Sequence, residues 1–174
     1  MHDLQQSQIE GLFEKIKVCL ESISTVPLAA ACAADLTQRM ATSPEHFYAA
    51  DLHMRQCEKW KNNDDDPAGI AAYNKSVKVF QKVQTEESLS YYELRNKRTE
   101  ALTQYPERLV RLLFEEVTSA DRFVAINKAA ENIAQIYDLN LRFLKHAFIQ
   151  EWLPPIESYQ QEDFYHVDAN ASNT

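Results

Sequence analysis

Apolar residues along the chain recur at steps of three and four, the period of an amphipathic helix, and proline rather than glycine punctuates the pattern. Ile9, Leu12, Phe13, Ile16, Cys19, Leu20 and Ile23 share one stripe of a helix predicted from about Leu4 to Ser24. Pro27 fits the first turn of the next helix, where a missing N–H costs nothing, and the run Ala29 to Ala34 makes that helix slim enough for close neighbours. Ser43-Pro44 reads as the N-cap and first residue of a third helix, with Phe47, Ala50, Met54, Cys57 and Trp60 on one face. Lys61 to Asp66 reads as a polar break. Asp66 then caps, and Pro67 opens, a helix carrying Ile70, Tyr73, Val77 and Phe80.

From Thr85 to Gln104 the pattern thins to Leu89, Tyr92 and Leu102 among many charges, which fits either a solvated helix or a helical connector. Pro106 opens a short helix with Leu109, Leu112 and Leu113, and Ser119 to Tyr137 carries Phe123, Ile126, Ala130, Ile133 and Ile136. Asn140 caps the last helix, with Leu139 and Leu144 placed as a hydrophobic staple and Leu141, Leu144, Phe148 and Trp152 on its stripe until Pro154-Pro155 stops it. About eight helices of some 12 to 20 residues, with no strand pattern, predict an all-α protein; their unequal lengths favour an irregular stack of helix pairs, α-solenoid-like, over a symmetric bundle. Residues 1–156 are expected to form one helical domain, and the acidic, aperiodic residues 157–174 a flexible tail.

Composition removes several function classes. Two glycines in 174 residues cannot build phosphate-binding or dinucleotide-binding loops. Three cysteines, none in a C-x-x-C pair, argue against a disulfide framework or a zinc site and for a reducing, intracellular setting. The net charge of −8 is concentrated toward the C-terminus, with no Lys or Arg after Lys145. The densest basic stretch, Arg95, Lys97, Arg98, Arg108 and Arg111, is diluted by Glu93, Glu100 and Glu107, so no nucleic-acid partner is expected. Val26 to Ala34 is the longest uncharged apolar stretch and is too short to cross a bilayer, so no membrane insertion is expected.

No reactive constellation emerges. Asp64-Asp65-Asp66 resembles the start of a calcium loop, but the twelfth position is Lys75 where a bidentate Glu is needed. The five histidines include no His-Glu-x-x-His, and His46 and His53, two turns apart, read as a surface pair. Glu86-Glu87 and Glu115-Glu116 are sequence neighbours and therefore project to different sides of a helix. Trp60 and Trp152 end apolar stripes, a position suited to packing or to serving as a docking anchor. No catalytic residue, cofactor or metal is expected.

The segment Asn127-Lys128-Ala129-Ala130-Glu131-Asn132-Ile133-Ala134-Gln135-Ile136-Tyr137-Asp138-Leu139-Asn140-Leu141-Arg142-Phe143-Leu144, followed by Phe148-Ile149-Gln150-Glu151-Trp152-Leu153, resembles the C-terminal helical region of the Rough deal family. Weaker support comes from Ala49-Ala50-Asp51 leading to Glu58-Lys59-Trp60 and from the Tyr105-Pro106-Glu107 turn. Members of that family are large kinetochore subunits that assemble with Zwilch and Zeste-white-ten. The resemblance implies a non-enzymatic α-solenoid scaffold of the kinetochore corona, supporting dynein recruitment and the spindle checkpoint in mitosis, located at the kinetochore and in the cytoplasm. It marks Trp60, Ile133, Ala134, Asn140, Leu141, Leu144, Phe148, Trp152 and Leu153 as packing or docking positions. A related vesicle-tethering subunit of the Golgi-to-endoplasmic-reticulum route shares the architecture and gives one alternative. A small independent helical adaptor or effector is the other.

Overall fold

In the computed structural model, which describes residues 2–41, 43, 45–64 and 66–153, side-chain caps mark the starts of four helices. The described elements are helical throughout: α1 (His2–Glu21), α2 (Val26–Arg39), α3 (His46–Asp64), α4 (Pro67–Tyr91), α5 (Lys97–Ala101), α6 (Pro106–Glu115), α7 (Ala120–Tyr137) and α8 (Leu141–Trp152). Asp66 accepts the Ala68 N–H at 2.9 Å, Ser119 the Arg122 N–H at 3.2 Å and Asn140 the Phe143 N–H at 3.0 Å, each satisfying a donor that a helix start leaves unpaired. At α5 the Asn96 side chain accepts from Thr99 while Thr99 Oγ1 accepts the Asn96 N–H at 2.9 Å, a reciprocal cap.

Three expected boundaries shift. The polar run from Lys61 is the last turn of α3 rather than a break, because exposed polar residues suit a helix end and Lys61 settles 4.4 Å from the centre of the Tyr73 ring. The thin pattern after Thr85 splits, with α4 continuing to Tyr91 and the five-residue α5 forming after a tight corner. Pro44 lies outside the described residues, and α3 begins at His46, whose N–H is taken by the Ser43 carbonyl at 3.1 Å. The Ser43 hydroxyl therefore does not cap the helix as expected; it is buried without a hydrogen-bond partner among the described residues.

Two helices, α4 and α7, close on corners without glycine. Glu93 and Asp138 adopt left-handed backbone angles, with φ of 56° and 54°. In each, the following residue reaches back across the helix end: Leu94 N–H to the Leu89 carbonyl and Leu139 N–H to the Ala134 carbonyl, both at 2.8 Å. This is a Schellman closure without its usual glycine. A side chain in that region costs about 1 kcal/mol, so Glu93→Gly and Asp138→Gly are each expected to raise stability, by about 0.5–1 kcal/mol, in urea unfolding followed by circular dichroism. A loss of stability in both would show that the carboxylates hold these corners.

The chain divides into two units, Met1–Leu139 and Asn140–Thr174. In the first, α2 packs on α3, α3 on α4, α4 on α7 and α7 on α6, with α1 lying across α2 and α3. The slim face of α2 is used as its composition requires: Ala29, Ala30 and Ala33 are buried, and Ala33 meets Phe13, Leu20, Ala49 and Leu52 in a core flanked by Ile9, Ile16 and Ile23. Buried Thr37 bridges this contact, its hydroxyl within 2.8 Å of the Ala33 carbonyl and 2.9 Å of the Ala49 carbonyl. Leu89 on α4, Leu109 and Leu113 on α6, and Ile126 and Ile133 on α7 are each at most 1% exposed. Hydrogen bonds fasten α7: Gln81 Nε2 donates to the Ile136 carbonyl at 3.0 Å and the Tyr137 hydroxyl to the Thr103 carbonyl at 2.9 Å. Leu12, Ile70 and Phe123, read as stripe residues, are 50%, 40% and 49% exposed. The second unit is described through α8 and Leu153, and the proposed tail lies outside the described residues.

Candidate functional site

The marked positions fall in three places. Trp60 is half-buried near the end of α3, and its indole N–H donates to Asp66 Oδ2 at 3.2 Å while Asp66 Oδ1 caps α4. One carboxylate thus joins the end of one helix to the start of the next. Gly69, one turn into α4, lies against the indole: a Cβ there would come within 3.0 Å of Trp60 Cδ1 and 3.2 Å of the Lys61 backbone nitrogen. Trp60 is therefore held by the Asp66 carboxylate and by the close approach of Gly69.

On α7, Ile133 is 0% and Ala134 6% exposed, so both are core residues of the first unit. The second unit holds the remainder. Asn140 caps α8, and Leu141, Leu144, Phe148 and Trp152 follow at helical spacing; the Trp152 side chain falls outside what the structure describes. Phe143, Ile149 and Leu153 are 66%, 55% and 62% exposed.

Burial favours the uncharged form of three titratable groups. Burial raises the Cys57 thiol pKa, a hydrogen bond with Ser76 opposing it in part, so the nucleophilic thiolate is disfavoured. Burial lowers His53, with Lys75 adding to the effect. Burial also lowers His46, against the pull of Glu86 and helped by Lys82. Burial thus favours the neutral form of both imidazoles. Among the described residues no group of three or more His, Cys, Asp and Glu side chains is gathered to hold a metal ion. Asp65 lies outside the described residues, and Asp66 is occupied by Ala68 and Trp60. The basic stretch is largely neutralised: Arg95 pairs with Glu100 at 2.7 Å, Arg98 with Glu116 at 3.1 Å and Arg111 with Glu115 at 3.2 Å.

Sequence reading missed one concavity. A cleft of about 430 Å³ opens between the α2–α3 link and the C-terminal half of α4, lined by residues including Ser43, His46, Phe47, Val83, Glu86, Glu87, Ser90 and Arg95. Glu86 and Glu87 were expected to project apart; both border this cleft, because neighbours on a helix differ by only about 100° and the opening is wide.

These features define a class: an all-helical chain whose conspicuous residues are caps, core side chains and helix junctions. The chain belongs to the Rough deal family: the model of the Rough deal protein C-terminal region matches residues 1–172. This is a kinetochore family and ties the chain to mitosis. No curated protein and no solved structure matches. Among the described residues no helix is long and apolar enough to cross a membrane.

Proposed function

We propose that the chain is a non-enzymatic scaffold segment of the kinetochore corona, an irregular stack of helix pairs that works by binding other proteins in support of dynein recruitment and the spindle checkpoint. The observation that carries this reading is the match to the Rough deal C-terminal region over residues 1–172. It is supported by the helical ladder from α2 through α3 and α4 to α7, in which each helix leans on its neighbours. Its proposed partners are homologues of Zwilch and Zeste-white-ten, and its proposed places of action are the kinetochore and the cytoplasm.

Within this reading the marked residues divide by role. Trp60, Ile133 and Ala134 hold helices together; Asn140 sets where α8 begins. Leu141, Leu144 and Phe148, at the spacing by which helices enter grooves, would make α8 a docking helix, with Trp152 and Leu153 assigned to the same role from their place in the sequence. The test is a pull-down from purified components, using tagged full-length chain whose folding is checked by circular dichroism. Recovery of either homologue, reduced by Leu144→Asp with Phe148→Asp, is the expected result. Folded chain that retains neither homologue overturns the partner assignment.

A further inference from the structure

We draw no further inference here: the strongest candidate, the exposed apolar patch that Phe143, Ile149 and Leu153 form along α8 and its C-terminal end, carries none because nothing in the structure shows what covers it.

Discussion

Ile133→Ala is expected to lower the unfolding free energy by about 3 kcal/mol, the range for truncating a buried aliphatic side chain in a close-packed core. Ile133 is 0% exposed on α7, which packs against α4 and α6, so the lost methyl groups leave a void in close-packed surroundings. For a chain of 174 residues this corresponds to a fall in Tm of roughly 6–12 °C. Calorimetry or urea unfolding measures it. A change under about 1 kcal/mol would mean that the α6–α7 interior is loosely packed. The same variant separates two readings of the family-like segment. A fully enclosed side chain acts on partner binding only through folding, so a chain still folded at low temperature should bind partners normally.

Gly69→Leu is expected to be comparably damaging, by about 2–3 kcal/mol, for the opposite physical reason. Even a single added carbon would sit 3.0 Å from Trp60 Cδ1 and 3.2 Å from the Lys61 nitrogen, and the backbone atom cannot swing aside. A leucine must push α4 from the end of α3. That displacement strains the Asp66 carboxylate, which holds the Trp60 indole at 3.2 Å and the Ala68 N–H at 2.9 Å. Tryptophan fluorescence should report the change directly, alongside reduced thermal stability; an unchanged melting curve would show that the junction is open rather than close-packed. Gly69→Ala should fall between the wild type and leucine, since a modest shift of the indole accommodates one methyl group but Lys61 does not move with it.

How far the fold could be read in advance followed the range of the forces involved. Helix starts are local events. Pro27, Asp66 with Pro67, Pro106, Ser119 and Asn140 carry their instructions within a few residues, and the helices begin beside them. The end of α4 was obscured because Glu93 does the work usually assigned to glycine, and α4 runs to Tyr91, beyond the last well-patterned apolar position. By contrast, α7 ends at Tyr137 as its pattern predicts, with Asp138 in the same left-handed role. Ser43 misled for a related reason: its sequence resembles a cap, but the helix starts later and the hydroxyl oxygen is buried without a hydrogen-bond partner among the described residues. The cleft was out of reach altogether. Its walls come from the α2–α3 link, the start of α3 and the second half of α4, segments some 40 residues apart that only packing brings together.

Family membership and fold meet at the same segment. The run from Asn127 to Leu144 that resembles the family contains the core residues Ile133 and Ala134, the Asp138 corner and the Asn140 cap. A resemblance carried by such residues is a resemblance of architecture, and it says less about which surface a partner touches. The ion pairs of Arg95, Arg98 and Arg111 have a similar bearing on partners, since cations already committed to neighbouring carboxylates offer little to a phosphate backbone.

The closure at Asp138 and Leu139 makes the peptide bond before Asn140 a natural place to divide the polypeptide. Severed there, the upstream piece keeps both residues that finish α7, and the downstream piece keeps the side chain that starts α8. Neither fragment would inherit a frayed terminus, which suits mapping which half a binding protein grips.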